Sequence, residues 1–183
     1  MENYLLDTLQ QTDGQIQNML PLSVTKSPTP LDTSLKWTPL ALLVISDAVG
    51  LKTKNKLKQQ VVHFIVAEAI LNAILLPVKK AVNRERPNGD HKSFPSGHAA
   101  TGFLGSDILH QELIESYPVA SFSGYALSFV TCGLRLYHKK HWFSDVATGA
   151  LLGILSAKLA GKGLKQVKKS HGNKHLNPGN LLM

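Results

Sequence analysis

Apolar residues along this chain gather in long blocks separated by short polar ones, and no stretch alternates at the two-residue period of a half-buried strand. Leu5, Leu6, Leu9, Ile16, Met19 and Leu20 recur at helical spacing among Gln and Asp, which predicts an amphipathic first helix interrupted near Gly14. Residues 22–36, with Pro28 and Pro30 among Ser and Thr, read as a loop. A second apolar segment runs from Trp37 to Leu51, and Lys52, Lys54, Lys56 and Lys58 follow it as a solvated connection. The most hydrophobic block is Val61 to Val78, broken only by His63, Glu68 and Asn72, and nearly as long as the roughly 20 residues that cross a bilayer. Further helices are predicted from His98 to Glu115, from Val119 to Leu134 after a turn at Ser116, Tyr117 and Pro118, and from Asp145 to Gly161. The expectation is an all-α bundle of five to six helices. It divides into an amphipathic segment and loop (1–36), a helical domain (37–161) and a loose basic tail (162–183).

Two features refine that picture. Gly102, Gly105, Gly149 and Gly153 lie inside predicted helices, where each costs about 1 kcal/mol relative to Ala, so they forecast helices that approach closely. Glu68, Asn72 and Lys79 share one helix face, but about 16 Å separates the first from the last, so Glu68 and Asn72 are expected to face water or a neighbouring helix.

At 183 residues the chain is long enough for one domain with a core. Its mean hydropathy of -0.03 is low for a chain living wholly in lipid. Cys132 is the only cysteine, so no intramolecular disulfide and no cysteine-based metal cluster can form. The acidic, polar amino terminus does not resemble a secretory signal. A net charge of +8 is compatible with nucleic acid, an anionic membrane or an anionic substrate. The basic residues lack interleaved aromatics and fall in loops around apolar helices, which argues against nucleic acid.

Three short motifs at the ends of apolar blocks concentrate the polar chemistry: Lys79-x6-Arg86-Pro87, Pro95-Ser96-Gly97-His98, and Arg135-x5-His141-x3-Asp145. Arg86 and Arg135 can each present forked donors to two phosphate oxygens, and Lys79 adds a point charge. Ser96 and Gly97 precede a helix, so their hydroxyl and backbone N–H groups sit where anions are favoured. Breaking a phosphate ester also needs a nucleophile and a proton donor, for which His98 and His141 are the two candidates. If residues 141–145 form a helical turn, Asp145 lies one turn from His141, can accept a proton from one ring nitrogen and orients the other toward phosphorus. Arg84, Lys80, Lys92, Lys139 and Lys140 read as solvated rim charges, and His63, His91, His110 and His138 as surface or satisfied core residues. His141 and Asp145 could bind a metal, but the surrounding cations would repel a divalent ion, so the chemistry is read as metal-independent and free of cofactor.

In order and spacing the three motifs resemble the signature of the type 2 phosphatidic acid phosphatase superfamily, directly over residues 79–145 and, by helix pattern, over 61–161. The resemblance implies an acid phosphatase/vanadium haloperoxidase-like helical bundle. It implies that His141 is the nucleophile forming a phosphohistidine, Asp145 its orienting partner and His98 the acid, with phosphate bound by Lys79, Arg86, Ser96, Gly97 and Arg135. Within the superfamily the stretches SFPSGHAA and HWFSDVATGALLG are most similar to bacterial lipid phosphatases, including the lipid A phosphatase-like branch. One position departs: Leu134 stands where a Ser usually precedes the third motif's Arg, which removes a hydroxyl and no charged group.

The implied enzyme is a metal-independent hydrolase of a phosphomonoester or pyrophosphate on a membrane lipid. Alternatives are a vanadium-dependent haloperoxidase-like enzyme, or a non-catalytic module that binds anionic lipids. An up-and-down bundle puts all three motifs at one end and Lys52 to Lys58 with the basic tail at the other. By the positive-inside tendency this places the protein in a bacterial inner membrane with the site facing the periplasm, a soluble or peripheral bundle being the alternative.

Overall fold

The computed structural model describes residues 2–20 and 34–175, with side-chain surroundings for 8–20 and 34–170. Six α-helices appear among the described residues: α1 (Glu2–Met19), α2 (Thr38–Ala48), α3 (Leu57–Val82), α4 (Gly97–Leu113), α5 (Ser123–Tyr137) and α6 (Phe143–His175). Short 3-10 turns at Leu35–Trp37 and Ala120–Phe122 lead into α2 and α5. The chain is all-α, as its block pattern predicts.

α4 is the axis of the bundle. Twelve of its seventeen residues are buried, and it packs against α6, α5, α3 and α2. Leu104, Ile108, Leu109 and Leu113 of α4 form the main core with Leu43, Leu71, Leu75, Ala157 and Ala160. The tightest seam is α4 against α6. A Cβ on Gly149 would collide with the Ser96 carbonyl oxygen, and one on Gly153 with the carbonyl of Ala100. Gly105 lies against Pro39 and Gly102 against Ser128, so these four glycines stand at helix contacts.

Several boundaries differ from those read off hydropathy, each for a local reason. α3 extends the apolar block at both ends because Lys58, Gln59, Gln60, Lys79 and Lys80 are good helix formers that a hydropathy window leaves out. It ends at Asn83, whose left-handed φ of 41° lets its N–H cap the Lys79 carbonyl. α1 passes through Gly14 unbroken; a single Gly weakens a helix without ending it. The expected loose tail is a correction: residues 162–175 continue α6, because Lys, Leu and Gln favour helix and cations suit its carboxyl end. Residues 176–183, and 22–33 of the expected loop, lie outside the described residues.

α3 and α6 are each long and apolar enough to cross a bilayer. Their outer faces expose Val61, Val62, Ile65, Ile74 and Leu76 on α3 and Leu151, Leu155 and Leu159 on α6. On α3, Asn72 donates to the Glu68 carboxylate at 2.9 Å and to its carbonyl at 2.8 Å, so these two polar groups largely satisfy each other within one turn.

Candidate active site

The carboxyl ends of α3 and α5, the amino ends of α4 and α6, and the loops joining them meet at one end of the bundle. This brings the three motifs together. The Ser96 N–H donates to the Asp145 carbonyl at 2.9 Å, which ties the second motif to the third. Ser96 is the N-cap of α4, its Oγ accepting from the Ala99 N–H at 3.4 Å, and it is fully buried. The loop after α3 closes on itself: Arg86 N–H donates to Asp90 O at 2.7 Å and Ser93 N–H to Arg84 O at 2.8 Å.

The cations converge here. Arg135, from the last turn of α5, is buried, and Arg86 and Lys79 are partly buried. Lys79 Nζ donates to Lys92 O at 2.8 Å and lies within electrostatic reach of Arg86 and Arg135. Arg86, Arg135 and His141 are all electrostatic neighbours of His98. His98 Nε2 and Arg86 Nε are buried and have no hydrogen-bond partner among the described residues. Buried polar nitrogens left open among cations are a site prepared for an anion.

His141 and Asp145 are both buried, with Nδ1 and Oδ2 3.7 Å apart, beyond a direct hydrogen bond. Ser93 stands between them. Its Oγ donates to Asp145 Oδ2 and lies 3.5 Å from His141 Nδ1. Asp145 also accepts from the Trp142 N–H at 2.8 Å, an N3 carboxylate reaching back to the residue before the helix. Burial holds the His141 imidazole below its ordinary value of about 6.5; Asp145 opposes this shift and Arg135 and Arg86 add to it. His141 is therefore neutral at neutral pH, and with Nδ1 facing Ser93 and Asp145 its Nε2 is the nitrogen left for a substrate.

Three residues that motif reading missed complete this arrangement. Arg84, expected as a solvated rim charge, is a correction: its side chain is only 20% exposed and bridges two carboxylates. Its Nη1 donates to Asp145 Oδ1 at 2.9 Å and to Ser144 Oγ at 2.7 Å, and its Nη2 to Asp13 Oδ2 at 2.8 Å. It also stacks 5.4 Å over the Trp142 ring. Asp13, 2% exposed, accepts from the Ser144 N–H at 2.9 Å and the Ser144 hydroxyl at 2.6 Å, so α1 caps the start of α6. Ser93 is the third. The R-x-R-P spacing of Arg84 and Arg86 was the one signal that could have drawn attention to Arg84; nothing local marks Asp13 or Ser93.

Of the remaining histidines, His63 and His110 lie away from this cluster. His63 Nε2 is 2.8 Å from the Ala157 carbonyl, and His110 is 3.0 Å from Ser121 Oγ, both satisfied inside the bundle. Asp90 is 58% exposed, 3.7 Å from both Arg86 and Lys140, at the mouth of the cationic cluster. Lys140 is thus more enclosed than a rim charge, its side chain only 12% exposed. No group of three or more His, Cys, Asp or Glu side chains is placed to hold a metal ion among the described residues.

Comparison with known proteins agrees with this geometry. Residues 87–167 match the model of the PAP2 superfamily. The chain is 31% identical over 133 residues to a lipid A 1-phosphatase of Porphyromonas gingivalis; the match covers 72% of this chain and 30% of that relative's length. The fold is similar to the crystal structure of Aquifex aeolicus LpxE, with a TM-score of 0.58, 21% identity, and 85% of this chain and 95% of the other covered. It is also similar to a transmembrane PAP2 type phosphatidylglycerolphosphate phosphatase of Bacillus subtilis, with a TM-score of 0.54, 20% identity and 87% of each chain covered. Motif order, helical fold and the match over residues 87–167 agree with one another, and in each of them this chain is similar to the PAP2 superfamily.

Proposed function

We propose that this protein is a metal-independent phosphatase that hydrolyses a phosphomonoester or pyrophosphate on a membrane lipid. The single observation that carries the reading is the pair of open buried nitrogens, His98 Nε2 and Arg86 Nε, in a cluster with Arg135, Lys79 and a neutral His141.

The phosphate sits among Lys79, Arg86, Arg135 and the α4 amino terminus at Ser96 and Gly97. His141 Nε2 attacks phosphorus, the bond from phosphorus to the ester oxygen breaks, and that oxygen leaves with its electron pair and takes a proton from His98. Ser93 and Asp145 hold Nδ1 as positive charge develops on the ring. Water then attacks the phosphohistidine, His98 taking its proton, and inorganic phosphate is released. Burial, and after it the positive field of Arg135 and its neighbours, lowers the His98 imidazole to about 3; the incoming phosphate dianion opposes the field, so substrate binding favours protonation of its own acid.

The lipid nature of the substrate is supported by the apolar outer faces of α3 and α6, with Ile65 60% exposed, which match a bilayer and not water. The curated relative acts on a lipid, as its name states. The lysines of the connection before α3 and of the later half of α6 lie at the end opposite the site, and the positive-inside tendency then points the site to the periplasm.

The test is phosphate release from vesicles carrying phosphatidate, polyprenyl phosphate or lipid A, with chelator present. Turnover is expected to persist in chelator and to fall about 1,000-fold or more in His141→Ala. A radiolabelled adduct, stable to base and labile to acid, should accumulate on the wild type in a single turnover. Full activity in His141→Ala would reject the assignment.

A further inference from the structure

At the end of the bundle remote from the catalytic cluster, α3, α4 and α6 part to leave a cavity of about 730 Å³. Its mouth carries Lys54 and Lys58 on one side and Lys165 and Lys168 on the other. Two acidic groups offset part of this charge and leave it net positive, Lys58, Lys165 and Lys168 being the cations that face an incoming anion. Glu112 is buried and both its oxygens are taken by Asn55, and Glu115 pairs with Lys54 at the surface. The walls are apolar: Val62 of α3, Ile114 just after α4 and Leu164 of α6. At the cavity floor Gly161 lets α6 approach closely, since a Cβ there would come within 3.1 Å of the His63 ring and 3.3 Å of Gln111.

Position along the helix adds to this. Lys58 lies 21 residues before Lys79 on α3, about 32 Å at helical rise, close to the roughly 30 Å hydrocarbon thickness of a bilayer. If Lys79 reaches the headgroup level of one leaflet, the lysine mouth lies at the headgroup level of the other. The wall residue Val62 is continuous with the apolar outer face of α3 at Ile65, so an acyl chain can leave the cavity directly into the lipid.

We infer that this cavity is a second site, distinct from the catalytic one, that holds an anionic phospholipid of the opposite leaflet. The phosphate lies among Lys58, Lys165 and Lys168 and the first part of one chain runs along Val62 and Leu164. Cations from two segments give selection by charge, and the apolar walls give selection for a lipid over a free anion. The ligand is a phosphodiester and is bound without turnover.

The inference rests on the bundle spanning the bilayer as proposed above, and alkaline carbonate extraction tests that separately: release from membranes would overturn the membrane placement and this site with it. The site is then measured on the full chain in nanodiscs or detergent, with vanadate present to fill the catalytic cluster. Dioleoyl-phosphatidylglycerol, dioleoyl-phosphatidylcholine and glycerol 3-phosphate are the probes, read by native mass spectrometry and thermal shift. One equivalent of phosphatidylglycerol should be retained in clear preference to phosphatidylcholine. The triple variant Lys58→Ala, Lys165→Ala, Lys168→Ala should bind it at least tenfold more weakly while hydrolysing a soluble aryl phosphate within about twofold of wild type. Equal retention of both lipids, or undiminished retention in the triple variant, would overturn the site. Glycerol 3-phosphate binding as tightly as phosphatidylglycerol would overturn its lipid character.

Discussion

His141 owes its usefulness to what surrounds it. Burial and the neighbouring guanidinium groups hold its imidazole below the ordinary range, and Asp145 pulls in the other direction. A nucleophilic imidazole must be neutral, so activity is expected to decline on the acid side at a pH below about 6.5. In Asp145→Asn the opposing influence is lost, so that acid limb should move to still lower pH while kcat falls about 100-fold or more. A pH profile of kcat for both proteins checks the sign, and a limb that moved upward would contradict it. Ser93 joins the two buried groups, so Ser93→Ala should lower kcat about tenfold or more and change KM little, as expected for a group that positions the nucleophile without touching substrate. Steady-state kinetics separate these effects. His98, Arg135 and Asp145 were legible because their spacing within short motifs reports helix ends. Ser93 was not, since one serine in a polar loop looks like any other until the fold sets it between two charged groups.

The amino-terminal helix α1 contributes to the site although it lies well outside the family match at 87–167. Its Asp13 caps α6 at Ser144 and shares Arg84 with Asp145. Asp13→Ala leaves a partly buried guanidinium with one carboxylate fewer, and should destabilise the protein by about 2–3 kcal/mol, at or just below the low end of the range for breaking a fully buried pair because Arg84 keeps some solvent contact. The same change should reduce kcat more than KM, and Asp13→Glu should restore part of the stability. Thermal unfolding and kinetics on the two variants test this. The seam between α4 and α6 makes a second demand. Gly153→Ala places a methyl group against the Ala100 carbonyl, with an expected loss of about 1–3 kcal/mol in thermal denaturation, whereas Gly163→Ala, with open space around it, should be neutral or mildly stabilising. Helix interiors were readable from apolar blocks. Their ends were not, because Lys and Gln prolong a helix without adding hydropathy.

For the bundle as a whole, the consequential expectation is its orientation. Cys132 is buried and has a thiol that should react slowly, so a single added cysteine can report the side on which it lies. Lys92→Cys in the loop beside the catalytic cluster, and Lys168→Cys on the later half of α6, are both exposed positions at opposite ends. In intact spheroplasts a membrane-impermeant maleimide should label the first and not the second; the reverse pattern would place the site in the cytoplasm.

The order of apolar blocks, the glycines and the three motifs were enough to settle the helical class and to name the groups that gather at one end, because each depends on neighbours within one or two helical turns. The Asp13–Arg84–Asp145 network, the place of Ser93 beside His141, and the lysine-lined cavity at the far end came from folding alone. Those contacts join residues up to 131 positions apart, and no local spacing encodes which distant side chain will fill the last coordination of a buried charge.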